Sequence, residues 1–446
     1  MLKNKSLTQI KVTSFQLYLS VKKWTPFLLI FLINPCGFSQ SLEKIKLRFS
    51  QMLNFHGNLG EFVKIDTQRI LILGKRKPVP DTLIKIDHKD WQLFASQCRK
   101  FPEDSLIKFL KSGNFPQINS INRGQKALSK INSEKPLYGK RIVLDPGHIA
   151  GNLSMAKTEG KYLLFTKSHN KSMRSDSAWI AEGILTYQTA AILKKMLEEK
   201  GAEVLLTREA GESAFGIQYS RWLQEKKQIV LDSLLSCGVL TKARYQKLNT
   251  SDNDIFFRSF FKELDLKKRI EKINNWSPDL TLIIHFNVDE KNAPWLGPTT
   301  KNFVMAFIPG CLTPENIETK SGSIRFLELL LSDDIEKSGE IAGYLVDELS
   351  KNLQIPKANQ NDADYLIENC MATSRAGVFA RNLALCRQVK GVLAYGECLY
   401  QDNDKEFEKL SSTASENVKA AGENKRLRWV ATSYLSSVLT FYDKNK

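Results

Sequence analysis

Apolar residues along this chain fall into runs whose period and length change several times, and each change predicts a different element. A continuous apolar run, Thr25-Pro-Phe-Leu-Leu-Ile-Phe-Leu-Ile33, is well short of the ~20 residues needed to span a bilayer. Amphipathic spacing over residues 42–55 predicts a helix, Arg69-Ile-Leu-Ile-Leu-Gly74 a strand, and Lys75-Arg-Lys-Pro-Val-Pro80 a turn. Residues 113–139, with Pro116, Pro136 and many Asn, Ser and Lys, predict a linker.

From Lys140 the pattern alternates between strand and helix. Short apolar runs predict strands at residues 141–144, 202–207, 279–285, 301–307 and 391–395. Helical spacing predicts a helix over 182–200, with Ile184, Leu185, Ala191, Ile192, Met196 and Leu197 on its apolar face and Gly201 ending it. A second helix is predicted near 336–353. A long final helix is predicted over 411–442, with Val418, Leu427, Val430, Tyr434, Leu435, Val438 and Leu439 turned inward. The alternation indicates an α/β fold with helices on both faces of a sheet. Residues 218–275 are helical throughout and too long for a plain connection, so an inserted helical subdomain is expected there.

Length and charge add a frame. At 446 residues the chain exceeds one typical domain: an N-terminal segment and linker at 40–138 is expected, then a main domain at 139–442. Residues 1–39 carry five lysines and no acid ahead of and around the apolar run, followed by Gly37 and Ser39, which predicts a secretory signal peptide and an exported protein of the periplasm or cell envelope, with no transmembrane anchor after cleavage. Losing those five lysines takes the formal charge from +17 to +12. An anionic partner is implied. For an exported protein that means acidic envelope polymers rather than nucleic acid, whose motifs are absent. Of seven cysteines Cys36 lies in the leader, leaving six, which allows disulfides or buried free thiols.

Chemistry concentrates at strand ends. Two of the five histidines each close an apolar run, in Asp145-Pro-Gly-His148 and in Asp279-Leu-Thr-Leu-Ile-Ile-His285-Phe-Asn287. Loops at the carboxyl ends of such strands are where α/β proteins bind ligands. Two imidazoles there suggest one metal, and a hydrolytic zinc site wants a third protein ligand, His₂Glu being a common set. Glu182, opening the 182–200 helix, is the first candidate; Glu159, nearer to His148 in sequence, is the competitor. Glu397 ends the strand of Gly391-Val-Leu-Ala-Tyr-Gly396 and suits a catalytic base.

These residues resemble the zinc-dependent N-acetylmuramoyl-L-alanine amidases that carry a strand followed by Asp-Pro-Gly-His. The likeness spans about residues 140–442 and takes in Glu182 with Leu185 and Ala190, Gly201-Ala-Glu-Val-Leu-Leu-Thr-Arg208, Arg269 with Asn274, and the 279–287 run, in the family's order. It implies a mixed sheet flanked by helices, a Zn²⁺ held by His148, Glu182 and His285, a catalytic Glu397, a supporting polar role for Arg381, and peptidoglycan as substrate. Two departures stand out. The 34 residues from His148 to Glu182 exceed the family's compact loop, and Cys398-Leu-Tyr-Gln-Asp402 follows the acid where the family has Gly-Phe and Ser-Asn. A zinc peptidase cutting within wall stem peptides needs the same metal, water and base. A non-catalytic envelope-binding protein would need none of the four side chains.

Overall fold

The computed structural model describes residues 42–74, 81–116, 135–166, 177–292, 297–411 and 424–445. The expected leader with Cys36, the turn at 75–80 and most of the 113–139 linker lie outside them.

Helix α1 (Leu42–Arg48) runs on into a π-helical turn at Phe49–Leu53, as the spacing predicts. The one strand expected nearby is the middle of an antiparallel three-stranded sheet, β1 (Val63–Ile65), β2 (Arg69–Leu73) and β3 (Thr82–Asp87). At three residues, β1 is too short to show a period. Helices α2 (Trp91–Gln97) and α3 (Glu103–Ser112) follow. These elements share an apolar core with the main body, since Ile45, Ile72, Trp91 and Phe94 are buried in one cluster with Leu327, Leu330 and Leu331. Each such side chain withdrawn from water contributes roughly 1.5–3 kcal/mol.

The main sheet begins with β4 (Arg141–Pro146). Helix α4 (Leu153–Glu159) and a hairpin of β5 (Tyr162–Thr166) and β6 (Ser177–Ala181) occupy the long His148–Glu182 interval. Helix α5 (Glu182–Glu199) and β7 (Glu203–Leu206) return the chain to the sheet. The stretch expected as a helical insertion comprises α6 (Tyr219–Glu225), α7 (Lys227–Ser236), α8 (Lys242–Thr250), α9 (Asn253–Phe256), a π-helical turn at Phe257–Phe261 and α10 (Lys262–Trp276). It has its own aromatic core around Trp222, Phe256 and Phe261.

Strands β8 (Leu280–Asn287) and β9 (Met305–Pro309) are followed by α11 (Pro314–Ile317), α12 (Lys320–Leu331), α13 (Asp334–Leu353) and α14 (Asp364–Asn369). The chain closes with β10 (Cys370–Ala372), β11 (Val378–Arg381), α15 (Ala384–Gln388), β12 (Leu393–Tyr400), α16 (Asp404–Ser411) and α17 (Lys425–Lys444). The seven strands are ordered β10-β11-β9-β12-β8-β4-β7, with β12–β9 and β10–β11 antiparallel and the other pairs parallel. The fold is therefore an α/β mixed sheet flanked by helices.

Side chains alternate across a strand, and the central strands are covered on both sides. Leu282 and Ile284 of β8 pack with Leu193 of α5, Leu345 of α13 and Val438 of α17. Ile283 of β8 and Tyr395 of β12 face the other way, against Ile270 and Ile273 of α10 and Leu385 of α15.

Two sequence expectations change. The strand expected at 301–307 begins only at Met305, because the loop before it is spent on side-chain links: Asn302 Oδ1 accepts from Tyr400 N at 3.1 Å. The long helix expected over 411–442 starts at Lys425, since Asn424 adopts an extended backbone and its side chain caps Arg426 N and Leu427 N; Val418 lies outside the described residues. The six cysteines beyond the expected leader, for which the sequence allows either disulfides or free thiols, are all free, five buried and Cys237 exposed.

Candidate metal centre and active site

Asp145-Pro-Gly-His148 leaves the end of β4 in a turn held by two buried arginines. Arg269 of α10 donates to Pro146 O (2.7 Å), His148 O (2.7 Å) and Asp145 Oδ1 (3.1 Å), and is itself held by Asp265 Oδ2 at 2.8 Å. Arg208 donates to Pro146 O (3.0 Å) and bridges Gly147 O and Gly183 O, each at 2.9 Å. The two cations thus satisfy carbonyls that a tight buried turn would otherwise strand. His148 takes a left-handed φ of 59°. Gly147 admits no side chain, because a Cβ there would sit 2.3 Å from the His285 ring.

Glu182 is the first residue of α5 and is buried. Its Oε1 lies 2.9 Å from His285 Nδ1 and accepts from Phe286 N at 3.1 Å; its Oε2 lies 3.1 Å from His148 Nε2. Ligand atoms of His148, Glu182 and His285 all fall within 4.8 Å of one another, a group that could hold a metal ion. The donor set fits zinc: two imidazoles and a carboxylate are a known catalytic combination. The competitor Glu159 sits on the opposite edge of the His148 ring, its Oε1 3.0 Å from Nδ1.

The electrostatics are coupled. Burial works against protonation of His148, but the carboxylates of Glu182 and Glu159 outweigh it and raise its pKa. For His285 burial prevails and the pKa is lowered, which favours the neutral ring a metal requires. Burial would raise the Glu182 pKa, yet its interaction with His148 holds it well below the carboxylate range.

Glu397 lies on β12 directly in register with His285 on β8. Burial, and next the negative charge of Glu182, push its pKa up to about 8, with Arg381 pulling the other way. Arg381 ends β11, with its guanidinium 4.7 Å from the ring centroids of both Phe307 and Tyr365. His148, Glu182, His285, Arg381 and Glu397 line one cavity of about 520 Å³, walled also by Phe257, Lys262 and Leu266 of the insertion. The five residues expected to build the site therefore meet in one place, and the competitor Glu159 lines the same cavity. Sequence reasoning missed Tyr395, whose ring stacks on His285 at 4.6 Å and 12°, and Lys161, whose Nζ stands 4.0 Å from Glu182 Oε2. Neither stands in a strand-end pattern with a histidine, so no local signal marks them.

Among the described residues no helix is long and apolar enough to cross a membrane. Residues 142–423, more than half of the chain, match the family model described as N-acetylmuramoyl-L-alanine amidase. A curated relative from Staphylococcus saprophyticus, named "Probable cell wall amidase LytH", is 28% identical over 141 residues, covering 24% of this chain and 43% of the relative. The chain thus spans less than half the length of that relative. Among solved structures, the CwlD amidase of Clostridioides difficile in complex with the GerS lipoprotein is 16% identical, with a TM-score of 0.37, covering 68% of this chain and 99% of its own. The amidase Ami1 of Mycobacterium smegmatis is 13% identical, with a TM-score of 0.38, covering 69% and 99%.

Proposed function

Because this chain belongs to the N-acetylmuramoyl-L-alanine amidase family, we propose that it hydrolyses the amide bond between N-acetylmuramic acid and L-alanine in peptidoglycan. The observation that carries this reading is the convergence of His148, Glu182 and His285 with Glu397 in a single cavity. Zinc held by the first three would supply Lewis acidity toward the scissile carbonyl and toward water.

The protein's own groups then have defined tasks. Glu397, with its elevated pKa, suits proton exchange near neutrality: it accepts a proton from the attacking water and returns it to the L-alanine nitrogen as the C–N bond breaks. The products are a lactyl carboxylate and a peptide with a free amine. Arg381 balances the negative charge around Glu397 and keeps a cation at the cavity wall. Glu182, fixed by the Phe286 amide and both histidines, holds the imidazoles in place. Exported, envelope-located action on the wall follows from that substrate and from the leader expected over residues 1–39, and the net basic charge suits a polymer bearing carboxylates.

The test is incubation of purified protein with peptidoglycan, with and without chelator and with zinc added back, followed by mass analysis of soluble products. Intact stem peptides with a free L-alanine amine, lost on chelation and restored by zinc, are expected. Cuts inside the stem would instead assign a peptidase, and wall binding with no release would assign a non-catalytic binder.

A further inference from the structure

We propose that Glu159 is a positioning residue that fixes the proton of His148 on Nδ1 and thereby keeps Nε2 free to bind the metal. The inference rests on the zinc reading above and adds a residue to it.

Both oxygens of this carboxylate, which lines the cavity, have partners. The Glu159 side chain is 6% exposed, and its Oε1 stands 3.0 Å from His148 Nδ1. Its Oε2 accepts from the backbone amides of Ile149 at 3.3 Å and Ala150 at 3.2 Å. An ionised carboxylate only accepts, and with a metal taking Nε2 in place of the contact to Glu182 the neutral ring places its hydrogen on Nδ1. The lone pair then falls on Nε2, the nitrogen facing Glu182 3.1 Å away. Because Nδ1 and Nε2 point out of opposite edges of the ring, Glu159 cannot share a metal held at Nε2. It acts through His148, as carboxylates behind ligating histidines do.

The carboxylate is itself held from outside the site. Glu159 is the last residue of α4, and Gly160 beyond it takes a left-handed φ of 71°. Thr158, one residue before, donates to Asp254 Oδ1 at 2.7 Å, and Arg258 donates to Thr158 O at 3.3 Å. Both partners belong to the helical insertion. The long interval between His148 and Glu182 therefore carries the arm that aligns the first histidine.

Substitutions separate this role from packing. In Glu159→Gln a single amide oxygen must serve either the two backbone N–H groups or the ring. Two donors on one side favour placing the oxygen there, which turns the amide NH₂ toward Nδ1 and drives the ring hydrogen onto Nε2. Glu159→Ala leaves the ring free to choose. If Glu159 only filled space, Gln, nearly isosteric, would be the milder change. If it sets the tautomer, Gln is at least as damaging as Ala.

The experiment is zinc titration against a chromophoric chelator at pH 7.5, with melting curves to verify folding. Wild type is expected to bind one zinc, and Glu159→Ala to bind it about 10–100-fold more weakly, with Glu159→Gln no tighter than Ala. Equal affinity in all three proteins, or Gln matching wild type while Ala is weakened, overturns the proposal. Should either variant unfold, Glu159→Asp replaces it, with weaker binding again expected and unchanged affinity counting against the role. A wild type that binds no zinc overturns the metal reading itself and this inference with it.

Discussion

Glu397 and His285 are direct register partners on the parallel strands β12 and β8. Their side chains therefore leave the sheet on the same face and at the same height. The face is the one bearing Ile283 and Tyr395, and α10 and α15 cover it just below the site. Hydrogen bonding along two rigid strands, rather than a loop, sets the spacing between a metal-ligand candidate and the candidate base.

Glu397→Gln should keep zinc and lose most turnover, because the amide cannot take up the proton of water. General acid–base catalysis of this kind contributes about 10²–10⁴-fold. Turnover on peptidoglycan and metal content measured on the same sample decide the matter, and full activity in a zinc-loaded variant removes Glu397 from the mechanism.

His285→Ala should abolish stoichiometric zinc while leaving the fold in place, since the ring stands at the cavity wall and contributes little to the main core. Metal analysis after dialysis is the check. Zinc content equal to wild type refutes the ligand role.

The base must be ionised to work, so kcat/KM should rise with pH through the Glu397 pKa. That pKa is raised first by burial and then by the charge of Glu182, and lowered by Arg381. A cation bound to Glu182 offsets the second of these, which puts the acid limb of the loaded enzyme below 8. Arg381→Met removes the lowering charge and should move that limb to higher pH, by roughly one unit. A limb that stays put, or moves toward acid, contradicts the coupling.

Arg269→Leu should destabilise the protein by about 3–5 kcal/mol, the cost of breaking a buried pair and leaving a charge alone. Asp145 and Asp265 both lose their bonded cation, the His148 carbonyl loses its arginine donor, and Pro146 O keeps only that of Arg208. Denaturant unfolding measures the loss; a change under 1 kcal/mol would mean that the turn is held by Arg208 alone.

Gly147→Ala places a methyl against the His285 ring. The ring must shift, so zinc affinity should fall more than stability does. Chelator competition and a melting curve on one preparation compare the two, and an unchanged affinity would show that the ring has room to yield.

The sequence by itself determined the elements whose signal is local. Runs such as Leu280-Thr-Leu-Ile-Ile284 declare buried strands, the spacing of Ile184, Leu185 and Leu197 declares a helix face, and the identities of His148, Glu182, His285 and Glu397 declare the available chemistry, because periodicity and side-chain type need no knowledge of the rest of the chain. Local pattern failed where a single residue overruled it, as when Asn424 capped α17 and interrupted a continuous helical period.

Tertiary structure alone decided everything that depends on pairing across distance. It placed Glu397 beside His285, put Glu182 and Glu159 on opposite edges of one imidazole, and brought Arg208 and Arg269 to the same turn. The physical reason is that register and burial are settled jointly by all strands and helices that share the core. A carboxylate 11 residues from His148 and another 34 residues away cannot be ranked until α4 and the β5–β6 hairpin have folded between them.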